Sequence, residues 1–189
     1  MKTLKKILIP MFLLCALLLS SCSGISNISS KQQNKFINDL MTSFKEQGFQ
    51  TTTVNFFGAD SNSLENDLDL SSTDLALYDC ILNNMNYNIE GISTTDTTST
   101  VLVDITTIDV SAATISTMKK IAEENSSSQD LNSTEDYFRK SLITYIQSGS
   151  ANFMNQKIQF VFIKENKSWV LQWFDDENLT KLLGGLSEK

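Results

Sequence analysis

The chain of 189 residues contains no histidine. Histidine is the commonest general acid or base near neutral pH, so its absence excludes the usual centre of many hydrolytic and isomerising sites. The sequence also lacks a phosphate-binding glycine loop, a GxSxG nucleophile turn and the paired cysteines of a zinc site. We therefore predict no catalytic residues, no cofactor and no metal, and a binding or structural role.

Long apolar runs are lacking as well, except at the N-terminus. Three lysines, Lys2, Lys5 and Lys6, precede an apolar stretch over 7–19 that ends in small residues. This stretch is shorter than the roughly 20 residues that cross a bilayer. Its order of charge, apolar run and small residues is typical of a signal peptide, which we assign to residues 1–21.

The residues at 19–22, LSSC, resemble the lipobox of bacterial lipoproteins. The resemblance implies that Cys22 receives a diacylglycerol, becomes the first residue of the mature protein and anchors it to the outer face of the cell membrane. Two acyl chains hold a protein on a bilayer stably, whereas one does so only marginally. An ordinary secretory signal that contains a cysteine is the alternative.

Cysteines are scarce, which limits the chemistry of the mature chain. Cys15 lies in the signal peptide and Cys22 would be lipidated, so Cys80 is the one thiol left and no internal disulfide is expected. Cys80 falls in an apolar helical pattern, which favours a small buried side chain over a reactive thiol.

Basic surface is also missing from the sequence. Loss of residues 1–21 removes three lysines and no acids, so the formal charge falls from −7 to −10. Such a chain has no basic stripe to neutralise phosphates, which argues against nucleic acid as a partner. The acids Asp60, Glu65, Asp67 and Asp69 lack the spacing of a calcium loop, so we predict an acidic loop there.

The residue pattern after the signal peptide predicts a short tether over 22–30 and one α+β domain over 31–189. A flexible segment as short as 23–30 spans about 15 Å on average. The residue pattern predicts helices over 31–47, from 72, over 110–124 and after a start signal at 133–136, and strands over 87–92, 100–108, 157–163 and 169–174. The segment 51–72 is predicted to be a loop, with a short strand at 53–57.

The clearest pattern is the closing hairpin. A two-residue turn at 166–167 would place Phe162 opposite Leu171 and Phe160 opposite Trp173 on a core face. Its other face is only partly apolar, so we expect the helical insertion or a second copy to cover it. A monomer is slightly favoured over a sheet-face dimer.

The segments VLVDITTIDVSAA at 101–113 and IQFVFIKENKSWVLQWF at 158–174 resemble the NTF2-like (cystatin-like) lipoproteins of Gram-positive bacteria. That resemblance implies helices packed on a curved antiparallel sheet, forming a cone that can enclose an apolar pocket. The helical insertion between the two segments departs from the family pattern and leaves the strand order open.

Two functions follow from this reading. The first is a noncatalytic envelope module that binds a small apolar ligand or a protein partner. The second is a pocket enzyme of the isomerase or dehydratase type, using Asp104 with a tyrosine. Aromatic residues that could line a pocket are Tyr78, Phe160, Phe162 and Trp173, although their spacing is equally explained by core packing.

Overall fold

The computed structural model describes residues 30–57, 70–125, 135–165, 168–172 and 176–186. Within them the chain forms five α-helices and one four-stranded antiparallel sheet, the α+β class that the sequence predicts. In chain order the elements are α1 (Ser30–Phe57), α2 (Ser72–Asn83), β1 (Asn86–Thr94), β2 (Thr98–Ile108), α3 (Val110–Asn125), α4 (Glu135–Gln147), β3 (Phe153–Glu165), β4 (Ser168–Leu171) and α5 (Asp176–Leu182).

The strands lie in the sheet in the same order as in the sequence, β1-β2-β3-β4. β2 pairs with β3 along its whole length, although α3 and α4 lie between them in the chain. The helical insertion therefore leaves the strand order of a simple meander unchanged. Among the described strands, the two outer ones do not pair with each other, so the sheet is open rather than a closed barrel.

The register of the closing hairpin is as predicted. Phe162 pairs with Leu171 and Ile163 with Val170. Because directly opposite residues of an antiparallel pair point to the same face, Phe162 and Leu171 both enter the core, where both are buried. Trp173, the predicted partner of Phe160, lies outside the described residues.

α1 is two helices joined at Gly48, where the first was predicted to end. Gly48 has φ 84° and ψ 175°, a conformation that an L side chain rarely adopts. Asp79 of α2 accepts a hydrogen bond from the Phe49 N–H at 2.7 Å and so caps the second helix. The second helix folds back on the first, since the hydroxyls of Ser43 and Thr52 meet at 2.8 Å.

The loop and strand predicted over 51–57 are therefore wrong, because these residues are helical. Threonine, valine and phenylalanine favour strands in isolation, but burial overrides this preference. Phe57 is buried and the Phe56 ring packs edge-on against Phe36 of the first helix. The Thr53 hydroxyl donates to the Phe49 carbonyl at 2.7 Å, so burying it leaves no unpaired group.

The main core lies between α1, α2, α5 and one face of the sheet, which we call the core face. Its buried side chains include Ile37, Leu40, Met41, Phe44, Phe49, Tyr78, Leu82, Val101, Val103, Ile105, Ile158, Phe160, Phe162, Trp169, Leu182 and Leu183. In β2 the buried residues alternate with half-buried ones, as the sequence pattern predicts. Burial of this apolar area is the main source of the stability of the fold.

A second, smaller cluster lies on the opposite side of α2. It joins Leu77, Cys80 and Ile81 of α2 to Leu142 and Ile146 of α4, together with Ile108, Val110, Ala113 and Ala151. α4 buries Leu142 and Ile146, whereas Tyr137 in its first turn is 39% exposed. The helical insertion thus packs on the helix layer, and α2 is the wall shared by both clusters.

α3 begins where the sequence predicts. The Asp109 carboxylate accepts a hydrogen bond from the Ala112 N–H at 2.9 Å and so caps the N-terminus of α3. The Val110 N–H donates to the Gly184 carbonyl at 3.1 Å, so the start of α3 is also tied to the end of α5. Gly184 and Gly185, which follow α5, both adopt left-handed backbone angles that end it.

α4 is held against α2 by one largely buried ion pair. Asp74, in the first turn of α2, forms a reciprocal capping box with Ser71. Its other carboxylate oxygen accepts from Arg139 Nε at 2.7 Å, and Arg139 Nη2 also reaches Glu135 at 2.8 Å. Because Asp74 is buried, these partners take the place of the water that would otherwise hydrogen-bond its carboxylate.

We expect Arg139→Ala to lower the free energy of unfolding by about 1 to 2 kcal/mol, because it leaves the Asp74 carboxylate with Ser71 alone. Lys140→Ala is the matched control, since Lys140 pairs with Asp136 on the exposed side of α4 and should change stability by less than about 0.5 kcal/mol. Urea unfolding followed by circular dichroism measures both. Equal losses would mean that the ion pair does not hold α4.

Candidate functional site

The face of the sheet opposite the main core, which we call the outer face, carries the candidate site. The strand registers align Asn88 with Asp104 and Lys157 in one row, and Gly91 with Leu102 and Gln159 in the next. In an antiparallel sheet such rows point to one face. Lys157 and Gln159 are exposed, and Asp104 and Leu102 are half-buried.

A β-bulge in β1 shapes this face. The pairing of β1 with β2 shifts between Ile89 and Gly91, so Glu90 is the extra residue. Gly91 then lies opposite Leu102 with no side chain, and a Cβ added to it would meet no heavy atom within 4 Å. The missing side chain leaves Leu102 as the apolar floor of an open depression.

The depression has a volume of about 490 Å³. Around the Leu102 floor are a carboxylate, two hydroxyls and an amide, supplied by three strands. The lining residues are Glu90, Gly91, Ile92, Ser93, Thr100, Leu102 and Gln159. An apolar centre inside a polar, hydrogen-bonding rim is the usual arrangement of a protein interface.

One ion pair borders the depression. Lys157 Nζ lies 2.7 Å from both carboxylate oxygens of Glu90. The Glu90 hydrogen bond raises the pKa of Lys157, and the nearby charge of Asp104 adds to this. Lys157 therefore stays positively charged at neutral pH and cannot act as a base or nucleophile there.

The structure does not bring Asp104 together with a tyrosine from the sheet or from α2. Asp104 lies on the outer face, opposite the apolar face, as strand alternation predicts. Tyr78 is buried in the main core, and Tyr87 pairs with Ile105 on the core face. The geometry that the pocket-enzyme alternative requires of these residues is not assembled.

The aromatic residues proposed as pocket lining lie in the main core. Tyr78, Phe160 and Phe162 are each at most 3% exposed. The Tyr78 ring packs edge-on against Phe49, with ring centroids 5.2 Å apart. Their role as pocket lining stays a prediction. Trp173 and the predicted lipid-attachment residue Cys22 lie outside the described residues.

Cys80 has the environment predicted for a structural cysteine. It is buried in the second cluster, between α2 and its neighbours. Burial raises the pKa of the Cys80 thiol, because the thiolate is poorly solvated there. The thiol is therefore protonated at neutral pH and is a poor nucleophile.

Within the part of the chain that the structure describes, no three histidine, cysteine, aspartate or glutamate side chains are grouped so that they could hold a metal ion. The acidic residues weighed for calcium, at 60, 65, 67 and 69, lie outside those ranges. In the same part of the chain, no helix is long and apolar enough to cross a membrane.

The bulge and its depression were not among the features predicted from the sequence. The signal was present, because an isolated glycine within a strand pattern often marks a bulge. Gly91 lies within the predicted strand 87–92 directly after the acidic Glu90. The sequence could not predict the face of the sheet on which the depression opens, because that face depends on the register of β1 with β2.

No family model matches the chain, and no curated protein matches its sequence. A solved structure with a similar arrangement belongs to ycdA of Bacillus subtilis, described as a candidate lipoprotein, with 15% identity and a TM-score of 0.43. The match covers 82% of this chain but 47% of the other, so the chain spans about half the length of that protein. Membership of the NTF2-like family stays a prediction.

Proposed function

We propose that this protein is a lipid-anchored, extracytoplasmic binding module that holds a protein partner on the outer face of its sheet. The observation that carries the proposal is the depression at the β1 bulge, with Leu102 as its floor. Its rim of Glu90, Ser93, Thr100 and Gln159 supplies both hydrogen-bond donors and acceptors. An apolar side chain of a partner would fill the centre while its backbone meets the rim.

An open depression supports a protein partner better than a small apolar ligand. Pockets for small apolar ligands bury most of the ligand surface inside a cleft. Here the depression is open rather than enclosed: its apolar lining comes from Leu102 and Ile92, and exposed polar side chains stand at its rim. Such a surface contributes affinity only when a second, complementary surface covers it.

The location on the membrane rests on the sequence. The proposed signal peptide at 1–21 and the lipobox at 19–22 support attachment through diacylglycerol on Cys22. The NTF2-like assignment belongs to the same proposal and is supported by helices packed on one face of an antiparallel sheet that ends in a hairpin. Binding without catalysis is supported by the charged state of Lys157 and the buried thiol of Cys80.

The lipid anchor is tested by Cys22→Ala in the full chain. We expect the variant to leave the membrane fraction, and intact mass to show that wild-type protein from membranes begins at Cys22 with diacylglycerol attached. Cys80→Ala is the control and should remain in the membrane fraction. An unmodified wild-type mass would contradict the anchor.

The binding surface is tested by photo-cross-linking in the native membrane. A photoreactive phenylalanine replaces Ser93 at the depression or Ser111, an exposed residue of α3. We expect one defined adduct from position 93 and none of the same mass from position 111. An adduct twice the mass of this chain would instead identify a sheet-face dimer and contradict the monomer.

Filling the depression should abolish that adduct. Gly91 is not in the left-handed region and has open space around it, so Gly91→Trp should change stability by less than about 0.5 kcal/mol while covering Leu102. We expect the yield from position 93 to fall at least about tenfold, equivalent to about 1.4 kcal/mol of binding. Ser111→Trp is the control. An unchanged yield with Gly91→Trp would contradict this binding site.

A further inference from the structure

We infer that the anchored domain stands on its membrane end-on, with the end of the sheet that carries the β1–β2 turn toward the lipid. The turn comprises residues 95–97, and we call this end of the sheet the near end. The inference rests on the proposed lipid anchor at Cys22. It specifies which surface meets the membrane and which surfaces remain available to a partner.

The tether joins the domain at the near end. The Ser99 hydroxyl donates to Gln33 Oε1 at 2.8 Å, and both residues are buried. Ser99 Oγ also lies 2.8 Å from Thr94 Oγ1 across the hairpin. These contacts fix the first turn of α1, which begins at Ser30, beside the β1–β2 turn. The Lys164 N–H donates to the Thr97 carbonyl at 2.9 Å, so β3 ends here too.

α1 then runs along the sheet away from the near end. Tyr87, close to the start of β1, donates to the Asn38 carbonyl. Lys45 reaches Asn86, the first residue of β1, at 3.3 Å. The helix therefore passes from the end of β1 to its beginning between residues 33 and 45. The opposite end of the sheet, which we call the far end, carries Ile108 paired with Phe153.

The length of the tether favours this orientation over the inverted one. β2 has eleven residues and spans about 36 Å at roughly 3.3 Å per residue. The eight residue-to-residue steps from Cys22 to Ser30 reach at most about 28 Å when fully extended. Their average span is about 15 Å. Placing the far end on the lipid would need a tether about as long as β2, which exceeds the fully extended length of this one.

Charge further opposes contact between the lipid and the outer face. That face carries Glu90 and Asp104 against the single cation Lys157 in the rows around the depression. Anionic lipids would repel it, in keeping with the formal charge of −10 of the proposed mature chain. End-on anchoring leaves the outer face upright and accessible, with Phe153, 52% exposed, directed away from the membrane.

The test measures energy transfer from a fluorophore on the lipidated full-length protein to a rhodamine-headgroup lipid. The vesicles contain phosphatidylcholine and phosphatidylglycerol. In a Cys80→Ala background, the fluorophore is attached at Asp96→Cys in the turn, Gln159→Cys on the outer face or Asn152→Cys at the far end; all three native residues are exposed. We expect transfer to decrease in that order, with at least about a twofold difference between the first and last, because about 36 Å separates the two ends.

A second variant tests whether the tether sets the orientation. Insertion of twenty glycine and serine residues before Ser30 should reduce the difference between positions 96 and 152 while keeping the protein on the vesicle. Equal transfer from all three positions with the native tether, or the reverse order, would overturn the orientation while leaving the lipid anchor intact. Failure of the wild-type protein to associate with vesicles, as expected only for Cys22→Ala, would overturn both proposals.

Discussion

Truncation of Phe160 to alanine is expected to lower the free energy of unfolding by about 3 to 5 kcal/mol. Phe160 is 2% exposed and lies at the centre of the core face, where it pairs with Val101 of β2. Removal of the ring loses its transfer free energy and leaves a cavity. The packed helices on one side and the hydrogen-bonded sheet on the other cannot close that cavity fully.

Phe153→Ala is the matched control, because it removes the same ring from the same strand. Phe153 is 52% exposed, so its truncation should change stability by less than about 0.5 kcal/mol. Urea unfolding monitored by tryptophan fluorescence gives both values. If the two variants lost the same stability, the assignment of core and outer faces in β3 would be wrong.

Gly184→Ala is expected to cost about 2 to 4 kcal/mol. Gly184 has φ 67°, where an L side chain is strained. An added Cβ would also clash with the carbonyl oxygen of Ile108 at the end of β2. The clash would separate the end of α5 from the start of α3, where Val110 N–H donates to the Gly184 carbonyl. Backbone strain and overpacking therefore both contribute to the expected loss of stability.

Gly185→Ala separates these two contributions. Gly185 has φ 84°, but an added Cβ would meet no heavy atom within 4 Å, so strain of about 1 kcal/mol is its expected cost. Thermal and urea unfolding of both variants should show the larger loss for Gly184→Ala. Equal losses would mean that α5 does not approach the end of β2 as closely as described.

Local patterns in the sequence were enough for the hairpin and for several helix ends. The predicted pairing of Phe162 with Leu171 is confirmed, because a short connection between the strands fixes the register and alternation then fixes the faces. Gly48 ends the first helix through its own left-handed backbone angle, and Asp109 begins α3 by accepting a hydrogen bond from the Ala112 N–H three residues later. These features depend on backbone geometry and capping, which act over a single turn.

The sequence by itself thus determined the α+β class, the core face of β2 and β3 and the register of the closing hairpin. It also supplied the proposal of the lipid anchor.

Only the tertiary structure decided the helix over 49–57, since Asp79 from a distant segment caps it and burial overrides its strand preference. The same holds for the helical insertion, because Leu142 and Ile146 pack on α2 and Arg139 pairs with Asp74 only in the assembled fold. The depression at Gly91 was also beyond sequence patterns, because it requires the bulge, the facing Leu102 and Gln159 of a third strand to meet, and such contacts exist only after the sheet has assembled.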